Sequence, residues 1–263
     1  MTPNLLARMS VKLAALPIGA VSRRREGDVI VLCYHRVGVG GREIDIPRRT
    51  FVEHLDMLAA EGCVRTLDEA IAGAGGVVLT FDDGFRDFHD IVLPLLEGTG
   101  LPALLYLATR FVDAGDPRSA IGADQALTWP MLEEAASTGL VTIGSHTHGH
   151  VDLGRASERV AEDEMRRSKV LVEDRLGRPC NHFAFPWGKA SASAQRVARR
   201  HFTTAAVDGW RTNRNGRIDP KRLGRTPVLR SDAGFFFHAK MHGWLDGERL
   251  AYRALRRGPW TPS

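Results

Sequence analysis

Cysteine is scarce in this chain: three residues in 263, Cys33, Cys63 and Cys180. The count is odd and no Cys-x-x-Cys pair occurs. That argues against a disulfide framework or a zinc finger and leaves three reduced, buried thiols. Long apolar runs are missing too: no stretch reaches the roughly 20 residues of a helical membrane span. There is no continuous basic helix and no aromatic RNA-binding motif, so the net charge of +5 does not point to a nucleic-acid partner. The arginine surplus lies partly near the ends, at 22–26 and 253–258, and reads as solvated surface, with attraction to an anionic polymer as the alternative. No internal repeat and no long linker is present, and the length suits one large domain.

The N-terminus has some features of an export signal. Arg8 and Lys12 precede a short apolar stretch, and Ala20-Val21-Ser22 is a small-x-small triplet. Pro17 interrupts the apolar core and three arginines follow, so residues 1–27 read as an amphipathic, flexible segment suited to peripheral membrane contact. The expected organisation is this segment, a catalytic domain over 28–240 and a basic tail over 241–263. The expected location is cytoplasmic or peripherally membrane-associated, with export as the alternative.

Between these ends strand and helix alternate. Strands are expected at 28–37, 77–81, 102–108, 140–146, 182–188 and 202–208. Helices are expected at 50–62 (Thr50 cap, Glu53 completing a capping box, Gly62 as stop), 67–73, 87–97, 128–139, 156–177 and 193–201. In the long helix 156–177, Glu162–Arg166 and Asp163–Arg167 are expected to pair. Such regular alternation implies parallel βα units closed into, or approaching, a barrel. The loop 112–125 reads as a mobile edge of a groove.

Three strand ends carry polar clusters: Tyr34 and His35, then Asp82 and Asp83, then His146, His148 and His150. In parallel βα architecture the C-terminal strand ends share one face, where active sites form. Adjacent carboxylates repel unless something compensates them, and a cation does so. Two histidines with one carboxylate suit a catalytic divalent metal, through either His146 and His150 or His146 and His148.

The motifs "TFDDG" (80–84) and "SHTHGH" (145–150), in this order and separation, resemble the polysaccharide deacetylases, the NodB-homology carbohydrate esterases of family four. That resemblance implies a distorted (β/α) barrel of seven or eight strands and a metal-dependent enzyme that removes acetyl groups from glycans. It makes Asp82 the base and Asp83, His146 and His150 the metal ligands, with His148 a spacer. The ion would be zinc, with cobalt, nickel, manganese or iron as alternatives. "FPWG" (185–188) stands at the Arg-x-Pro-aromatic motif: Pro186 and Trp187 match, Trp187 offering its N–H to the oxyanion, while Ala184 stands where the arginine is usual. Arg225 is a candidate replacement, with a surface salt bridge as its alternative.

The late Leu-x-His motif of the general acid is absent, since "FFFHAK" (235–240) reads as an amphipathic helix with His238 exposed. The early "CYHRV" (33–37), with "DPKRLGRTPV" (219–228), instead resembles the subgroup that deacetylates poly-N-acetylglucosamine, which makes His35 the acid. Trp187, Trp210, Tyr34 and Phe85 are candidate walls for an acetylated sugar, each otherwise a core residue. The expected activity is glycan N-deacetylation with a bell-shaped pH profile. The alternatives are a deacetylase of a small or lipid-linked amino sugar or other acyl amide, and an inactive carbohydrate-binding relic.

Overall fold

A computed structural model describes residues 3–19, 23–114 and 125–248. The N-terminal helix α1 (Pro3–Gly19) is followed by β1 (Val29–Tyr34) and two short paired strands, β2 (Arg36–Val37) and β3 (Asp45–Ile46). Next come α2 (Arg48–Glu61), α3 (Leu67–Glu69) with a π-turn, β4 (Gly76–Asp83), α4 (Leu93–Thr99), β5 (Ala103–Leu107) and α5 (Thr109–Ala114). The rest is α6 (Trp129–Ser137), β6 (Val141–Ser145), α7 (Glu158–Leu176), β7 (His182–Ala184), α8 (Ala192–His201), β8 (Thr204–Asp208), β9 (Leu223–Pro227) and α9 (Phe235–Met241). Seven parallel strands close into a barrel in the order β1-β4-β5-β6-β7-β8-β9 and back to β1. β9 was not expected as a strand: "LGRTP" carries glycine, arginine and proline, and pairing on both sides decides its conformation.

Side chains alternate along each strand. Val29, Val31, Val78, Leu104, Tyr106, Ala184, Ala206 and Leu223 form one cluster, the barrel interior. Ile30, Leu32, Tyr34, Val77, Leu79 and Phe81 belong to the larger cluster with Phe51 and Leu55 of α2. Tyr34 is therefore wholly buried on the outside of the barrel. Its ring meets Phe51 edge-on and stacks on Phe81, and its hydroxyl bonds His54 Nδ1 at 3.1 Å. It cannot be a wall for a sugar. Phe85 is buried against Phe111, with the Arg36 guanidinium 5.0 Å from its ring, and is not a wall either. Trp210 is buried with Val11 of α1 and Leu229.

Several helix ends differ from expectation. α2 begins at Arg48 after Pro47, so Thr50 and Glu53 make no capping box, and Glu53 pairs with Arg49 instead. A capping box does form at Thr66 and Glu69. Gly62 ends α2 in the left-handed region, as expected. On α7, Arg166 reaches Asp163, while Glu162 crosses to Arg200 and His201 of α8. All three cysteines are free and buried.

Within the segment expected to be amphipathic and flexible, α1 packs against the body. Val11 and Ala15 are buried, and Lys12 sits at zero exposure between Asp232 and Glu248. Lys240, equally buried, pairs with the same two carboxylates at 2.5 and 3.1 Å. Residues up to 248 of the expected tail pack too, through Leu245 and Glu248. The triplet Ala20-Val21-Ser22, most of the loop 112–125 and the basic stretch 253–258 lie outside the described residues.

Candidate active site

β4 delivers both carboxylates at the C-terminal end of the barrel. Alternation would send Asp82 and Asp83 to opposite faces. Asp82 points inward with Val78. Asp83 has φ of 76°, a conformation rare outside glycine, which brings its carboxylate to the same site. Gly84 follows at φ 97°, and a Cβ there would meet Leu107 Cδ1 at 2.5 Å, so the turn out of β4 requires glycine. His150 and Trp187 also sit in the left-handed region. Strain of this kind clusters where a site must be assembled.

The expected metal ligands converge. Asp83 Oδ1 lies 3.2 Å from His150 Nε2 and 3.7 Å from His146 Nε2, and ligand atoms of the three residues lie within 4.8 Å of one another. His146 donates Nδ1–H to the Ala184 carbonyl at 2.7 Å, which fixes its tautomer and leaves the Nε2 lone pair facing Asp83. Both oxygens of Asp83 are buried, and among the described residues only the two imidazoles face them. A carboxylate so stripped is costly unless a cation completes it, and the donor set of two imidazoles and one carboxylate suits a zinc-like ion. His148 turns away, bonding Thr109 Oγ1 through Nδ1 at 2.9 Å.

Asp82 is treated differently. Arg225 of β9 grips it in a fork, Nη1 to Oδ1 at 2.6 Å and Nη2 to Oδ2 at 2.8 Å. Burial would raise the pKa of Asp82. The guanidinium, helped by His146 and His35, outweighs burial and holds it well below the usual carboxylate range. Arg225 thus fills the role left open by Ala184, its guanidinium 5.3 Å from the Tyr106 ring centroid. His35 approaches from β1, Nε2 4.0 Å from Asp82 Oδ2. The Trp187 indole meets the His150 ring edge-on at 4.4 Å, and Pro186, buried, starts the turn that carries it.

A second cluster, Cys33, His35 and Asp82, lies beside this one, Asp82 Oδ2 being 3.7 Å from His146 Nε2. Burial pushes the Cys33 thiol well above its ordinary value, which keeps it protonated and unsuited as a ligand, and Asp82 is committed to Arg225. The Asp83 cluster therefore fits a metal better. Burial also lowers the pKa of His146 to about 4, so it stays neutral, as a ligand must. For His150 burial works in the same direction, but the Asp83 charge outweighs it and the imidazole ends above its ordinary value in the absence of an ion.

Sequence reading missed Cys33, whose Sγ lies 3.5 Å from Asp82 Oδ2, and Tyr106, opposite Asp82 in register. Two-residue alternation back from His35 would have pointed to Cys33.

The sequence model of the polysaccharide deacetylase family matches residues 71–206. The chain belongs to the polysaccharide deacetylase family. A stretch of 179 residues is 23% identical to the polysaccharide deacetylase YxkH of Bacillus subtilis (strain 168), covering 65% of this chain and 60% of that one. A shorter stretch of 77 residues is 34% identical to the poly-β-1,6-N-acetyl-D-glucosamine N-deacetylase of Escherichia coli (strain K12), covering 27% of this chain and 12% of that enzyme. Among solved structures, the Streptococcus pyogenes deacetylase PplD superposes with a TM-score of 0.72 at 22% identity, over 81% of this chain and 98% of that one. IcaB from Ammonifex degensii gives 0.68 at 25%, over 85% and 97%. The seven-stranded barrel is the fold these proteins share with the chain.

Proposed function

We propose that this polysaccharide deacetylase hydrolyses N-acetyl groups of an amino-sugar glycan, with one divalent ion, zinc first, held by Asp83, His146 and His150. The observation that carries the reading is the unequal treatment of two neighbouring carboxylates. Among the described residues the two buried oxygens of Asp83 meet only two imidazole nitrogens, whereas Asp82 is locked by Arg225. When bound, the ion supplies Lewis acidity, polarising an acetyl carbonyl and making water a nucleophile near neutral pH.

Asp82 takes the proton of the attacking water. Arg225 fixes its carboxylate and keeps it ionised, so Asp82 sets no acid limb in the ordinary carboxylate range. The Trp187 N–H is the donor assigned to the developing oxyanion, and such a donor contributes about 3 kcal/mol in other enzymes. His35, beside Asp82 at the open side of the site, gives a proton to the departing sugar amine. The likeness to the poly-N-acetylglucosamine enzyme supports an N-acetylated glycan as the substrate class.

The test uses leaving groups of different basicity. An amine needs protonation to depart, and an aryl oxide does not. His35→Ala should lower amide kcat by about 10²- to 10⁴-fold, the usual range for a general acid, with far less effect on an aryl acetate ester. His238→Ala should change neither, because His238 belongs to a cluster at the end of α2. Equal losses on both substrates for His35→Ala would remove His35 from the acid role. A screen of partially acetylated glucosamine oligomers for acetate release, read by mass spectrometry, tests the substrate class.

A further inference from the structure

A second group of metal-ligating side chains lies away from the catalytic face. Glu61 is the last residue of α2, His238 lies in α9, and His242 caps that helix. Spaced four apart, the two histidines share one face of a helical turn. His242 Nε2 lies 2.8 Å from Glu61 Oε1, and His238 Nε2 lies 3.7 Å from the same oxygen. Their ring centroids are 4.5 Å apart, and ligand atoms of the three residues lie within 4.8 Å of one another. Trp244 stands 5.6 and 5.7 Å from the two rings and walls one side.

A carboxylate–imidazole ion pair needs one histidine. Here two imidazoles aim the same nitrogen at one carboxylate oxygen, which is the arrangement of a cation site. Arg24, whose backbone N–H bonds the His242 carbonyl, opposes a cation here, and the Glu61 carboxylate supplies the charge that offsets it. Imidazole nitrogen selects zinc, nickel or copper over magnesium or calcium.

We infer that Glu61, His238 and His242 form a second site for a divalent transition-metal ion, which ties α9 to the end of α2. The site is remote from the chemistry. The Cys63 carbonyl, two residues beyond Glu61, accepts the Val77 N–H near the start of β4. Asp82 lies five residues further along that strand, roughly 17 Å at the usual rise. An ion here would clip two elements together without touching substrate.

The test uses full-length protein stripped of metal by chelation and titrated with zinc at neutral pH. His150→Ala weakens the catalytic trio and leaves the second one whole. This variant should still bind about one zinc per chain, and zinc should raise its Tm by mass action. Adding His238→Ala and His242→Ala should abolish both effects. In the otherwise native chain the same two substitutions should remove one ion, whatever the catalytic trio does. Melting of the metal-free variants reports whether they fold. Unchanged zinc stoichiometry on removing the two histidines, or no binding by His150→Ala up to about 100 µM zinc, would overturn the assignment.

Discussion

The cluster of Lys12, Lys240, Asp232 and Glu248 and the pair Asp82 and Asp83 are both stripped of solvent, yet they are completed in opposite ways. In the first, two ammonium groups meet two carboxylates, and Lys240 also donates to the Pro227 carbonyl at 2.8 Å. The charges balance within the protein, and the cluster joins α1 to the C-terminal elements. In the second, Arg225 balances one carboxylate, and among the described residues the other meets only the imidazoles of His146 and His150. The contrast separates a charge buried for structure from a charge buried for use. A structural cluster is complete with the chain alone, whereas a site waits for something from outside.

The largest effect on stability should come from breaking the balanced cluster. Lys12→Ala leaves Asp232 and Glu248 facing a single lysine in the interior. Removing one partner of a buried pair costs about 3–5 kcal/mol. Urea unfolding should report that loss with or without zinc, and a change under about 1 kcal/mol would mean that α1 contributes little to the folded body. Burial alone would raise the Asp232 pKa, but Lys12 and Lys240 lower it. Its share of stability is therefore present above the unfolded value near 3.9 and lost on acidification.

Arg225→Met attacks the other region. It also unpairs a buried carboxylate, but zinc added to the neighbouring ligands should restore part of the lost stability, as it should not for Lys12→Ala. The variant has a pH signature as well. Burial of Asp82 would no longer be countered by the guanidinium, so its pKa should rise. Because Asp82 accepts a proton only when ionised, the acid limb of kcat/KM should move to higher pH. An acid limb that stays where it is in the native enzyme would show that Asp82 does not titrate in catalysis.

Tyr34→Phe should have the smallest effect. It removes the hydroxyl bond to His54 and keeps the ring packed on Phe51 and Phe81. A loss of about 1 kcal/mol in stability is expected, with kcat and KM unchanged. A raised KM for glycan would restore Tyr34 to the sugar-binding surface.

The barrel and the convergence of Asp83, His146 and His150 were legible because strand-end motifs in βα units land on one face. The candidate sugar walls were less legible. Tyr34 and Phe85 lie beside site residues in sequence, but strand parity and the turn at Gly84 send their rings into the core. Trp210 was lost to the docking of α1, a long-range contact without local pattern. The position of Arg225 on Asp82 depended on β9, whose composition reads poorly as a strand. The burial of Lys12 was hidden for a similar reason: its partners lie 220 and 236 residues away in sequence.

The division of labour between Asp82 and Asp83 is tested most directly by exchanging each for asparagine and measuring zinc content and turnover on the same preparations. We expect Asp83→Asn to lose zinc and turnover together, because its oxygens are the ones left open beside His146 and His150. We expect Asp82→Asn to keep about one catalytic zinc per chain while turnover falls by about 10²-fold or more, the contribution of a general base. Zinc lost with Asp82→Asn and kept with Asp83→Asn would contradict the assignment and make the carboxylate under Arg225 the ligand.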